Sequence, residues 1–181
     1  AIVVGGSSGM GKAAAVAVAS RGGSVLIASR TQEKLDSAAK EIRLAVPTVQ
    51  LITRVLDASD ETAVQAFGAE LDAQEHQWDA LICTAAGKAP HGPIGQLPTS
   101  DTAALFASKF WTAHNSCKHI APRLTDGGAV ALTAGVLNRR PGLNCSPLAA
   151  VNGALELNLA RTLTRTRTRT LFRTLTLTLT R

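Results

Sequence analysis

Short apolar runs alternate with amphipathic stretches over the first 160 residues. Ala1-Ile2-Val3-Val4 is uninterrupted and rich in β-branched residues, the pattern of a strand buried on both faces. Residues 12–21 are alanine-rich and helical by propensity, and Gly22-Gly23 stops them. Residues 24–28 predict a second strand. Over residues 31–45, Leu35, Ala38, Ala39 and Ile42 recur at helical spacing, with Thr31 as the candidate N-cap and Pro47 beyond the end. Residues 49–55 predict a third strand, 60–73 a helix capped by Asp60, and 80–83 a fourth strand. A loop bearing Pro90, Gly92, Pro93, Gly95 and Pro98 leads to a long helix at about 100–123, ended by Pro122 and Gly127-Gly128. Residues 129–133 predict a fifth strand, 135–147 a second loop, and 148–161 a last helix. Strands alternating with helices in this way predict βαβ units and a parallel sheet covered on both faces.

The pattern changes after residue 160. Residues 161–181 hold nine Thr, six Arg, five Leu and Phe172, with Thr at every even position from 162 to 180 except 172. Two-residue periodicity suits a strand better than a helix, and Thr is a poor helix former. Helix to about Thr168, followed by a marginal edge strand from Phe172, is one expectation. The other is a segment that is no structural element, as in a truncated, frame-shifted or artificial sequence. The chain thus divides into a domain at 1–160 and a low-complexity tail at 161–181.

Composition changes the picture only once the charge is located. The net charge is +6, yet the tail carries six arginines and no acid, which leaves 13 basic and 13 acidic residues in the body. Bulk charge therefore gives no support for a nucleic-acid partner. At 45% hydrophobic and 18% charged the chain is not disordered throughout. No apolar stretch approaches the ~20 residues of a membrane span. Three cysteines without metal-type spacing (Cys83, Cys117 and Cys145) and the lack of a leader point to a reducing, cytoplasmic setting. His76, His91, His114 and His119 are scattered, so no metal site is expected.

The chemistry begins at Gly5-x-x-x-Gly9-x-Gly11, between a predicted strand and a predicted helix. Glycines there permit a tight turn and close approach of backbone to a pyrophosphate, and the helix N-terminus offers free N–H groups to it. Ser7 and Ser8 add hydroxyl donors. This spacing resembles the glycine motif of the short-chain dehydrogenase/reductase family, Thr-Gly-x-x-x-Gly-x-Gly, with Val4 in place of its Thr. Further stations follow in order over residues 1–160. Ser29-Arg30 follows the second strand, where NADP-dependent members carry Arg. Leu56-Asp57 follows the third, where the family's Asp meets the adenine. Cys83-Thr84-Ala85-Ala86-Gly87 follows the fourth, where the family has Asn-Asn-Ala-Gly.

The resemblance implies a Rossmann-type doubly wound sheet in strand order 3-2-1-4-5, with NADP as cofactor. It implies contacts from Gly5, Ser7, Ser8, Gly9, Met10, Gly11, Arg30, Asp57, Ala58, Thr84, Ala85 and Ala86. Arg30 also has an ordinary reading as a solvated arginine, and Asp57 as a helix-cap neighbour. The catalytic stations depart from the family. Leu148 stands where the family has its Tyr, Asn152 where it has its Lys, and the chain has no tyrosine at all. Thr133 is the nearest hydroxyl to the Ser station, and Lys109 falls at the Asn station. Lys109 would reach a substrate carbonyl or ribose there, or else be a solvated helix lysine. Three functions stay open: a weak NADP(H)-dependent oxidoreductase acting on a carbonyl or enone, an NADP-binding protein without catalysis, and a non-functional fragment. A homo-oligomer would form through the helices at 100–123 and 148–161.

Overall fold

The structure, a computed structural model, describes residues 1–74 and 76–156. The tail at 161–181, with its expected strand from Phe172, lies outside the described residues. Five parallel strands form one sheet: β1 (Ile2–Val4), β2 (Val25–Ser29), β3 (Leu51–Val55), β4 (Trp78–Cys83) and β5 (Leu124–Leu132). Their order is β3-β2-β1-β4-β5, as the strand-helix alternation and the family resemblance led us to expect. Helices α1 (Gly9–Ala19), α2 (Gln32–Ala45) and α3 (Glu61–Asp72) connect the first four strands.

Why the strand runs are continuously apolar is visible in the two cores. Val3, Val25 and Ile27 point to one face and pack with Ala15, Ala19, Leu35, Ala38 and Ile42 of α1 and α2. Ile2, Val4, Leu26 and Ala28 point to the other and pack with Phe67 and Leu71 of α3 and with Leu81, Cys117 and Ile120. Successive strand residues face opposite ways, so burial on both faces leaves no polar position. All three cysteines are free and buried.

The connection from β4 to β5 is a loop with a 3-10 turn (Ile94–Gln96) followed by a continuous helical run. The run comprises α4 (Thr99–Leu105), a π-helical segment (Phe106–Trp111) and α5 (Thr112–His119), with helical backbone at both junctions. A 3-10 turn (Ala121–Arg123) containing Pro122 ends it. Gly127-Gly128 does not act as a helix stop. The pair lies inside β5, which starts at Leu124 rather than near residue 129. Trp78 pairs with Leu124 and Ala80 with Ala129, so β5 bulges between these contacts. Gly127 takes φ +78 in that bulge, where glycine is tolerated. The last described helix, α6, runs Ser146–Ala154, starting two residues before the expected position with Pro147 in its first turn.

The expected caps differ in chemistry. Asp60 caps α3 through its side chain, accepting from the N–H groups of Thr62 at 2.9 Å and Ala63 at 3.4 Å. Thr31 occupies the N-cap position of α2, but its side chain makes no capping hydrogen bond. Asp60→Ala should therefore cost about 1 kcal/mol. Thr31→Ala should cost no more than a few tenths of that. Urea unfolding of the two variants measures the difference, and equal losses would contradict these caps.

Candidate dinucleotide cleft and the Lys109–Asn152 pair

The turn between β1 and α1 is set by how closely backbone meets backbone. Gly5 takes φ +86, and a Cβ on it would lie 2.7 Å from the Ala85 nitrogen. A Cβ on Gly11 would lie 2.2 Å from the Gly5 carbonyl oxygen. Those two glycines let the first turn of α1 rest on the end of β1. Gly9 differs: it takes φ +50 and faces open space. Ser8 precedes α1 without capping it through its side chain. The first-turn N–H groups of a helix have no intrahelical partners, so here they are available to an anion. Ser7 hydrogen-bonds Ser29 at 2.9 Å, tying the turn to the end of β2.

A cleft of ≈ 340 Å³ opens over this turn at the carboxyl ends of the strands. Gly5, Ser7, Ser8, Gly9 and Met10 form its floor, and Ser29, Arg30, Thr31 and Lys34 one wall. Leu56, Asp57 and Ala58 close the end beyond β3, and Thr84, Ala85 and Ala86 the side beyond β4. β1 lies between β2 and β4, the place where an open α/β sheet forms its ligand crevice. The open space beyond Gly9, the helix start and Arg30 together fit an elongated anionic dinucleotide. Gly11 is buried behind the turn and supports it by close packing.

Asp57 turns the chain after β3, accepting from the Ser59 backbone N–H at 3.0 Å and its hydroxyl at 2.6 Å. The same turn is held from beneath by buried Asn115, whose Nδ2 donates to the Ala58 and Ser59 carbonyls at 3.2 Å each. Ser108 accepts from the Gly87 N–H at 3.0 Å and, with Thr112, lines the cleft from the helical side. Lys34, Ser108, Thr112 and Asn115 were not among the residues expected from sequence. Asn115 is buried in α5 with two other polar side chains, Thr112 and Ser116.

The expected catalytic residues fall in a second group. Lys109, in the π-helical segment between Ser108 and Thr112, donates from Nζ to Oδ1 of Asn152 at 2.6 Å. Asn152 is buried in α6. Its Nδ2 faces the backbone of Gly135, where a Cβ would come within 2.8 Å, and has no partner among the described residues. Burial holds the Lys109 ammonium below the usual lysine pKa. Thr133 follows β5, its N–H bonded to the Cys83 carbonyl at 3.1 Å. No hydrogen bond among the described residues joins its hydroxyl to Lys109 or Asn152. The structure thus brings together the cofactor-station residues in one cleft and Lys109 with Asn152 in one pair, and leaves Thr133 separate.

A glycine turn at the switch point of a parallel sheet in order 3-2-1-4-5 defines a Rossmann-type α/β protein. The family model for short chain dehydrogenases matches residues 1–166, and the chain belongs to that family. Human retinol dehydrogenase 12 is 41% identical over 81 residues, which are 45% of this chain and 26% of that protein. A short-chain dehydrogenase/reductase of an Acremonium species is 28% identical over 172 residues, 90% of this chain and 65% of that one. The chain therefore spans between a quarter and two thirds of these relatives' lengths. Among solved structures, an NADPH-bound short chain oxidoreductase of Pseudomonas aeruginosa, described as containing an atypical catalytic center, superposes with a TM-score of 0.81. It is 23% identical, over 90% of this chain and 63% of that one.

The glycines provide a test of the turn. Gly11→Ala drives a methyl into a backbone oxygen and should destabilise by roughly 1–3 kcal/mol. Gly9→Ala meets no atoms and should cost only about 1–2 kcal/mol, from its left-handed backbone. Thermal unfolding of the free protein measures both. A Gly11→Ala variant as stable as the parent would contradict the close approach.

Proposed function

We propose that residues 1–160 form the cofactor domain of an NADP(H)-dependent oxidoreductase that reduces a carbonyl or enone at low turnover. The observation that carries this proposal is the Lys109–Asn152 hydrogen bond, two side chains at the family's catalytic stations joined at 2.6 Å beside the glycine-turn cleft. In this proposal Gly9, Ser7 and the first turn of α1 hold the pyrophosphate, and Arg30 takes the 2′-phosphate. Gly5, Ser8, Met10, Asp57, Ala58, Thr84, Ala85 and Ala86 shape the rest of the cofactor site, with Gly11 behind them. The Pseudomonas oxidoreductase, NADPH-bound and described as atypical in its catalytic center, supports both the cofactor and the departure from the usual residues.

When bound, the reduced nicotinamide supplies a hydride. The protein must then supply a proton to the developing alkoxide or enolate. Lys109 is the donor in this proposal. Burial makes its ammonium a better acid than an exposed lysine, because the charged form is disfavoured. Asn152 is a positioning residue: its Oδ1 can accept only, so it holds Nζ without competing for the proton. Thr133 contributes a hydroxyl at the neighbouring strand end. Leu148 cannot donate, and this favours one second reading, an NADP-binding protein without turnover.

NADPH oxidation against a panel of carbonyls and enones separates the two readings. Lys109→Met should lower turnover by about 10²–10⁴-fold, the contribution of a positioned acid, and Thr133→Ala should lower it less. The pH profile has a defined sign. Lys109 must be protonated to donate, and its pKa lies below the ordinary lysine value. Reduction should therefore fall as pH rises through that lowered pKa, earlier than an exposed lysine would cause, and Lys109→Met should lack this limb. Turnover that survives Lys109→Met would place the proton donor elsewhere. Arg30→Asp should weaken NADPH binding roughly tenfold or more and spare NADH, from the loss of a charge-assisted contact. Equal NADPH affinity in both proteins would remove Arg30 from the site.

A further inference from the structure

A second cavity of ≈ 710 Å³ adjoins the first and shares Arg30 and Ser108 with it. Its far side is formed by the segment after β4, including Lys88 and His91, and by Asp101 of α4. Lys88 does not hang from a free loop. The preceding residue, Gly87, is anchored by its N–H to Ser108 at 3.0 Å, so closely that an added Cβ would lie 2.6 Å from the same hydroxyl. The Lys88 backbone is thereby held at a cavity that Arg30 also lines.

Among the described residues the cations divide into paired and unpaired, and Arg30 and Lys88 fall in the second group with Lys34, Lys40 and Arg140. Lys12, Arg54, Lys118, Arg123 and Arg139 each pair with a carboxylate. Arg30 and Lys88 form no ion pair or hydrogen bond among the described residues, although Asp101 lines the same space. Two cations and one carboxylate, Asp101, line this cavity and leave an excess of positive charge there. A phosphate monoester carries about −1.5 to −2 at neutral pH, which matches the two cations in sign and number. A pyrophosphate on the glycine turn would leave this space to a different phosphate.

We infer that Lys88 is a specificity-determining residue which, from the segment after β4, clamps the 2′-phosphate of the cofactor against Arg30. This rests on the NADP(H) reading above and deepens it. The clamp draws on two elements separated by 58 positions, so the preference for NADP(H) would not reside in the β2 end alone.

The test uses calorimetric titration of the whole chain with 2′,5′-ADP (adenosine 2′,5′-bisphosphate) and with 5′-AMP, which differ only in the 2′-phosphate. Lys88→Gln should weaken 2′,5′-ADP roughly fivefold, the scale of an exposed charge pair, and leave 5′-AMP unchanged. Lys88→Arg should restore binding, and Lys40→Gln, an exposed lysine elsewhere on α2, should change neither ligand. Matching circular dichroism and unfolding midpoints establish that the variants fold. Normal 2′,5′-ADP binding by Lys88→Gln alongside loss in Arg30→Gln would overturn the role of Lys88 and keep the NADP(H) reading. Equal weakening of both ligands would overturn it too, assigning Lys88 to the shared part of the nucleotide. If the parent protein binds 5′-AMP and 2′,5′-ADP equally, the NADP(H) preference falls along with the clamp. If Lys88→Gln weakens inorganic phosphate as much as 2′,5′-ADP, the cavity serves a free or substrate phosphate and the inference fails.

Discussion

The distance between Gly11 and the carbonyl of Gly5 governs the rest of the molecule. With no side chain at either position, α1 can begin on top of the last residue of β1. That placement aims the helix start at the carboxyl edge of the sheet and lets Ala15 and Ala19 pack against Val3 and Ile27. The same contact brings Gly5 against Ala85, so the end of β4 is gauged from the end of β1. The cleft is the space left over when those three chain segments meet with nothing between them. Any Cβ there would separate the layers and spread the cleft at once, and so fold stability and ligand geometry share one contact.

The far side of β4 obeys a different physics. There the decisive contact is between a partly buried ammonium and a buried amide, Lys109 and Asn152, from helices that the chain order separates by a whole strand. A buried cation is costly unless hydrogen-bonded, and one neutral acceptor satisfies only one of its three donors. The remaining donors keep Lys109 poised toward any oxygen atom that enters. The family's arrangement puts Lys on the last helix and Asn on the long one. In the proposed reading the two residue types exchange stations, which keeps an amide and an amine in one neighbourhood with Leu148 at the tyrosine station.

What the sequence revealed follows from how local each determinant is. The strands were legible because burial on both faces demands unbroken apolar runs, and the sheet order because the glycine turn, Arg30 and Asp57 arrive in family sequence. Asp60 was legible as a cap because capping is settled within three residues. The start of β5 was not, since Leu124-Thr125-Asp126-Gly127-Gly128 has the composition of a turn, and only pairing with β4 makes it a bulged strand. The π-helical segment left no trace in periodicity. Lys109 could be placed by counting from family landmarks, but its pairing could not, because the partner lies 43 residues on. Asn115 was passed over for the same reason: what it holds is the backbone of a turn 56 and 57 residues earlier.

These two regions meet along a narrow seam. Ser108 and Thr112 line the cleft, while Lys109 between them turns to α6. The cleft lies at the ends of β1 to β4, and none of Lys109, Thr133, Leu148 and Asn152 is among its lining residues. Loss of the tyrosine therefore removes nothing from the floor or walls of the cleft, and the glycine contacts remain as close as the fold requires. A sheet of this order can thus change its chemistry on the β5 side while keeping its crevice on the β1 side. The seam is where the two are coupled: Ser108 holds Gly87, Gly87 fixes the segment beyond β4, and the next residue on the helix is Lys109. The cleft and the Lys109–Asn152 pair are therefore separate in sequence and meet at one helical turn, through the Ser108 hydroxyl.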